Sequence, residues 1–100
     1  MGWNMKDLVI VGTGGVGKET ALIVEDINEI SQEWNLLGFI DDNKELIGKE
    51  INGYKVLGDR KFLNNFDKEV YVVIAIADHC IKEELVKYLT NKNIQYATLI

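Results

Sequence analysis

Short apolar runs separated by polar, periodic stretches organise this chain of 100 residues. Leu8-Val9-Ile10-Val11 is continuously apolar and stops at Gly12, the pattern of a strand buried on both faces of a parallel sheet. Beyond the next glycines, Val16, Thr20, Ile23, Val24, Ile27 and Ile30 recur at three- and four-residue steps, with Lys18, Glu19, Glu25, Asp26 and Glu29 falling elsewhere. That spacing predicts an amphipathic helix laid on the sheet through this stripe. Leu36-Leu37-Gly38-Phe39-Ile40 predicts a second strand, ended by the turn-forming Asp41-Asp42-Asn43. From Lys44 to Tyr54 the pattern dissolves, and Gly48 and Asn52-Gly53 mark a loop or a short hairpin before a brief strand at Lys55-Val56-Leu57. Asp59 is placed to cap a short helix through Phe62, Leu63 and Phe66.

Tyr71-Val72-Val73-Ile74-Ala75-Ile76 is the most apolar strand candidate and is expected beside the first strand at the centre of the sheet. Asp78 should cap a helix that turns Ile81, Leu85, Tyr88 and Leu89 inward and leaves Glu83 and Lys87 wet. A last strand is predicted over Tyr96-Ala97-Thr98-Leu99-Ile100. Strand and helix alternate throughout, which calls for right-handed crossovers. The expected fold is a small, three-layer α/β domain of Rossmann-like design, with a parallel sheet in the order 3-2-1-4-5.

Composition narrows the function classes. With 47% hydrophobic and 27% charged residues the chain is an ordinary globular one. The longest apolar run, Val70 to Ala77, is too short for a membrane span, and no signal-type leader opens the sequence. A cytoplasmic location without membrane insertion is expected. A formal net charge of −5, with lysines scattered among more numerous acids, lacks the basic stripe of a nucleic-acid binder. Cys80 is the single cysteine and His79 the single histidine, too few for a disulfide or a zinc site, so no metal is expected.

The candidate chemistry lies where strands end. Gly12-Thr13-Gly14-Gly15-Val16-Gly17 fits G-x-G-x-x-G after a predicted strand and at the start of a predicted helix. There the first glycine permits the turn, the second admits a phosphate to the backbone, and the third lets helix and strand pack closely. Unpaired amides at a helix N-terminus attract phosphate. The alternative is a strand-to-helix turn that binds nothing. A P-loop through Gly12, Gly17 and Lys18 is excluded by Glu19, which stands where Ser or Thr must meet Mg²⁺, with Thr20 one place too late. Asp41 falls 24 residues after Gly17, where an acid at the end of the second strand can accept from ribose hydroxyls. At least one of Asp41 and Asp42 is expected to contact ligand; the alternative is that both are turn-formers facing water, the better reading for whichever points away from the crevice. Ala77, Asp78 and His79 follow the fourth strand on the same sheet edge; Asp78 is read as a cap, Cys80 as an ordinary buried thiol, and no residue as catalytic.

The segments Val9 to Gly17, Leu37 to Asn43 and Gly53 to Asp59 together resemble the N-terminal, PglD-like domain of sugar O- and N-acyltransferases of the sialic-acid and bacillosamine acetyltransferase type. The likeness runs through nearly the whole chain. It implies a domain, residues 1–100, that binds a UDP-linked amino sugar or similar glycosyl substrate. Acetyl-CoA and the catalytic histidine would belong to a C-terminal left-handed β-helix, usually within a homotrimer, and no hexapeptide repeat for that coil lies in these residues. It further implies that Gly12, Thr13, Gly14 and Gly15 cradle the nucleotide sugar, with Asp41 and Asp42 beside it and Ala75 to His79 in the same crevice. The chain departs from the family at Val16, where a histidine is frequent, and at Ala77, where a glycine is common; the family's basic residue in the following helix is matched only by Lys82. The competing readings are a nicotinamide-dinucleotide module of a dehydrogenase or redox sensor, and an assembly domain with an empty crevice.

Overall fold

A computed structural model describes residues 5–99. In chain order the elements are β1 (Lys6–Val11), α1 (Gly15–Ser31), β2 (Trp34–Ile40), a 3-10 turn (Lys44–Leu46), β3 (Glu50–Ile51), β4 (Tyr54–Gly58), α2 (Arg60–Asn64), β5 (Val70–Ile74), α3 (His79–Tyr88) and β6 (Ile94–Tyr96). The sheet runs β3-β4-β2-β1-β5-β6. Every pairing is parallel except β3 with β4, a hairpin turned by Asn52 and Gly53, both at positive φ. With that hairpin set aside, the five parallel strands stand in the expected 3-2-1-4-5 order, and the Asn-Gly signal resolves to a hairpin rather than a loop.

β1 shows why the sheet is central. Leu8 and Ile10 are buried on one face, Val9 and Val11 on the other. Val9 and Val11 join Ile40, Val70, Val72, Ile74, Leu63 of α2, Leu85 of α3 and Leu89 just past the end of α3. Leu8 and Ile10 pack with Phe39 and Val56 against Ala21 and Val24 of α1. Two faces covered by helices are what a parallel sheet of continuous apolar runs requires.

Three expectations are corrected. α1 buries Gly17, Thr20, Ala21 and Val24, while Val16, Ile23 and Ile30 stand 45%, 44% and 89% exposed. At its start the helix lies on Gly17, Thr20 and Ala21, where it approaches the sheet closely; of the expected stripe Thr20 and Val24 face inward, and Val16, Ile23 and Ile30 fall to the flank. Cys80 is exposed, not buried, because it follows the cap of α3 on the outward side. The last strand is Ile94–Tyr96, earlier than expected, since its pairing with β5 starts at Ile94 opposite Val70; Ile100 lies outside the described residues. Asp59 and Asp78 cap α2 and α3 as expected, Asp59 accepting from the Lys61 amide at 2.9 Å and Asp78 from the Cys80 and Ile81 amides at 2.8 and 3.2 Å.

Candidate functional site

The carboxyl ends of four parallel strands meet at one edge, held in step past their last residues. The Gly12 amide donates to the Ile40 carbonyl at 2.8 Å, the Ala75 amide to Val11 at 2.8 Å and the Asp41 amide to Gly58 at 3.0 Å. β1 continues to α1 on one face of the sheet, whereas β5 continues to α3 on the other, so the crevice between their ends is the topological switch point where open α/β sheets take ligands.

The glycines there have different reasons to be glycine. Gly12 sits at φ +110°, and a Cβ on it would press on the Ala75 carbonyl oxygen and Ile76. A Cβ on Gly17 would overlap the Gly12 carbonyl oxygen. Both are demanded by the packing of β1, β5 and α1. Gly14 and Gly15 are not: a Cβ at either meets nothing within 4 Å, and Gly14 holds an ordinary φ of −75°. Gly14 is the N-cap of α1, no side chain caps this helix, and its first turn carries no acid. The leading amides of α1 therefore open on space.

Asp41 staples this loop to β2. Its Oδ2 accepts from the Thr13 amide at 3.2 Å and from Thr13 Oγ1 at 2.7 Å, and its Oδ1 accepts from the Asn43 amide at 2.9 Å. Thr13 is buried beneath the staple. Gly12, Thr13, Gly14, Gly15, Asp41 and Ala77 line one crevice of about 330 Å³, together with Val16, Ala75 and Ile76. Asp42 lies next door, on a slot of about 210 Å³ whose walls are Val11, Ile40, Ile76, Ile81 and Leu85, with Gly12, Asp41 and Ile76 shared between the two spaces. Asp78 is spent capping α3, and His79 lies on the outer surface of α3 beside Lys82, Glu83, Val86 and Lys87. The structure thus brings together six of the nine sequence-predicted residues, sets Asp42 at the margin and leaves Asp78 and His79 outside the crevice lining.

One group at this edge escaped the sequence reading. Arg60, the chain's single arginine, opens α2 and grips Asp42 through Nε at 3.1 Å and Nη2 at 2.6 Å, while its own amide donates to Asp42 Oδ1 at 3.3 Å. Its Nη1 lies 3.1 Å from Glu84 of α3, and its guanidinium stands 5.2 Å from the Tyr88 ring centre. The side-chain hydrogen bond from Arg60 holds the Asp42 carboxyl below its ordinary range, against the opposing effect of burial. The same bond raises the Arg60 pKa. The signal was available in the strand order, since the end of β4 adjoins the end of β2 and Arg60 follows β4 directly. Among the described residues no group of three His, Cys, Asp or Glu side chains forms a metal site, and no helix is long and apolar enough to cross a membrane.

Comparison with solved structures finds this fold in nucleotide and acetyl-transfer proteins. The acetyltransferase domain of PglB from Neisseria gonorrhoeae FA1090, solved in complex with acetyl coenzyme A, is similar over 85% of this chain and 38% of that one, with 23% identity and a TM-score of 0.63. UDP-D-quinovosamine 4-dehydrogenase from Vibrio fischeri aligns over 92% and 75% of the two chains with 17% identity and a TM-score of 0.67. RSP, a Rex-family repressor, aligns over 97% and 47% with 20% identity and a TM-score of 0.61. At these identities the likeness establishes the fold, and the chain spans well under half the length of the acetyltransferase. No curated protein matches the sequence. The family model for the PglD N-terminal domain matches residues 7–89, from β1 through α3, and the chain belongs to that family.

Proposed function

We propose that this domain binds a nucleotide-linked sugar across its carboxyl edge and serves as the substrate-holding part of a sugar acetyltransferase, with acetyl-CoA used elsewhere in the parent protein. The observation that carries the reading is the pair Gly14-Gly15. Packing explains Gly12 and Gly17, yet nothing in the protein requires the next two positions to lack a side chain. Glycine there keeps clear the approach to the uncapped amides of α1, and a phosphate is the ligand group that such amides attract. The diphosphate sits over Gly14 and Gly15, with Ala77 across the crevice from it. Asp41 and Asp42 face the ribose side, and the neighbouring apolar slot is fit for the flat face of a base. Membership of the PglD N-terminal domain family, and a structural neighbour that holds acetyl coenzyme A, support transfer of an acetyl group as the parent activity. The fold of a UDP-sugar dehydrogenase is a weaker support for the nucleotide sugar.

The test is a melting curve with UDP-N-acetylglucosamine and, separately, NAD, each titrated to millimolar concentration. A ligand at one hundred times its Kd stabilises the folded state by about 2.7 kcal/mol. For a domain of this size that raises the melting temperature by roughly 10–20 °C. A rise with the UDP-sugar and a much smaller one with NAD is the expected result. A rise with NAD alone would transfer the crevice to dinucleotide binding and make Asp41 an adenosine-ribose acceptor.

A further inference from the structure

Three elements of the carboxyl edge converge on one side chain. Arg60 reaches the end of β2 through Asp42, belongs itself to the first turn of α2, and reaches α3 through Glu84 and the face of Tyr88. On α3 the residues Ile81, Glu84, Leu85 and Tyr88 follow helical spacing and share a face. Ile81 and Leu85 form the α3 wall of the apolar slot, so the tie to Arg60 lies along the wall itself. Leu85 is anchored in the core, whereas Ile81, one turn nearer the helix start, is about half exposed. The link from Arg60 to Glu84 adds a second fixed point, between the anchored Leu85 and the half-exposed Ile81.

The same guanidinium orients the acid on the slot's rim. Asp42 Oδ2 takes two bonds from the guanidinium at 3.1 and 2.6 Å, a side-on fork, leaving Oδ1 with only the longer 3.3 Å bond from the Arg60 amide. One oxygen is thereby taken up by the guanidinium, and the other keeps acceptor capacity on a residue that lines the slot. Two N–H groups held rigid in one guanidinium converge on that single oxygen, a pairing that a lysine ammonium with its one nitrogen cannot reproduce.

We propose that Arg60 is a positioning residue for the base end of the nucleotide ligand: it sets the slot's width through Glu84 and aims Asp42 Oδ1 at a donor group of the ligand. The proposal rests on the nucleotide-sugar reading above and adds to it a residue acting through Asp42 and α3 rather than by its own contact with ligand.

The experiment measures binding of UDP-N-acetylglucosamine and of inorganic pyrophosphate to the 100-residue chain by calorimetry, for wild type, Arg60→Met, Arg60→Lys and Glu84→Gln, with circular dichroism melts alongside. Arg60→Met should bind the UDP-sugar about tenfold more weakly and leave pyrophosphate, which engages only the glycine loop, unchanged. Arg60→Lys should fail to restore binding, since lysine cannot make the fork. Should the Arg60 variants not fold, Glu84→Gln, at an exposed side chain, carries the test with a smaller loss of about threefold on the UDP-sugar alone. Wild-type affinity for the UDP-sugar in Arg60→Met or Arg60→Lys, or equal fractional losses on both ligands, overturns the role of Arg60 while leaving the nucleotide-sugar reading intact. A wild type that binds neither ligand overturns both.

Discussion

Replacing two glycines of the same loop should give opposite phenotypes. At Gly17 a methyl group would be driven into the backbone carbonyl of Gly12, and neither partner is a flexible side chain that can swing aside. Forced overpacking of that kind costs about 1–3 kcal/mol or more. In a domain of about 100 residues each kcal/mol moves the melting temperature by roughly 4–8 °C, so Gly17→Ala should melt on the order of 10 °C lower. At Gly14 the Cβ meets nothing within 4 Å and the backbone already has a φ of −75°. Gly14→Val loses only the preference for glycine over valine at an N-cap, about 1 kcal/mol. Its isopropyl group, however, occupies the space above the α1 amides. The expected result is a folded Gly14→Val protein that UDP-N-acetylglucosamine no longer stabilises, beside a weakened Gly17→Ala protein whose remaining folded fraction still responds. Thermal melts with and without ligand read both. A full ligand shift in Gly14→Val would refute the phosphate role of the loop. An unperturbed melt for Gly17→Ala would refute the packing argument that separates the two classes of glycine.

Thr13→Val removes the 2.7 Å bond to Asp41 at nearly constant volume, and should cost about 1 kcal/mol and weaken UDP-sugar binding, read by melting and calorimetry. His79→Ala should change neither stability, by more than about 0.5 kcal/mol, nor UDP-sugar binding, because this side chain lies outside the crevice lining; a lost ligand shift would place it in the site. Asp42 has its pKa lowered from 3.8 by Arg60, so the pair stabilises the folded state above that pH and its contribution fades as pH falls through the lower folded-state value. Acid melts of Arg60→Met should accordingly lie below wild type above pH 3.8 and converge with it on further acidification.

What the sequence made legible follows from which forces are local. Strand runs buried on both faces leave an unbroken apolar signature, so β1, β2 and β5 could be read directly, and Asn52-Gly53 specified its own backbone turn. The face of α1 could not be read that way. Hydrophobic periodicity drew the stripe through Val16, Thr20, Ile23, Val24, Ile27 and Ile30, of which Thr20 and Val24 are buried while Val16, Ile23 and Ile30 are exposed. Beside Thr20 the helix seats Gly17 and Ala21, which the stripe left out, against the sheet, because the glycine loop ties its start so near to β1 that only small residues fit between. Thr20 also turns its hydroxyl back to the Val16 carbonyl at 2.7 Å, which lets a polar residue sit inward at little cost. Arg60 was hidden for another reason: its partners Asp42 and Glu84 are 18 and 24 residues away, and an ion pair between distant positions has no periodicity to detect.

The double aspartate illustrates how far motif and geometry differ. Read as a motif, Asp41-Asp42 is a pair of acids awaiting ribose. In the folded chain Asp41 accepts three protein hydrogen bonds and Asp42 also accepts three, all from Arg60. A carboxylate offers about four acceptor positions. Each aspartate therefore has room for roughly one further donor, and its direction is set before a ligand arrives. Such an edge spends little ordering entropy on binding, which favours affinity from few contacts. It also divides the work between the two acids: Asp41 ties down the glycine loop, and Asp42 ties the end of β2 to Arg60 beside the neighbouring slot. Exchange of either acid for alanine would disturb the protein's own hydrogen bonds before it removed any bond to a ligand, so a loss of binding in those variants would not by itself identify a ribose contact. Substitutions at Gly14, where the protein makes no demand of its own, separate the two effects.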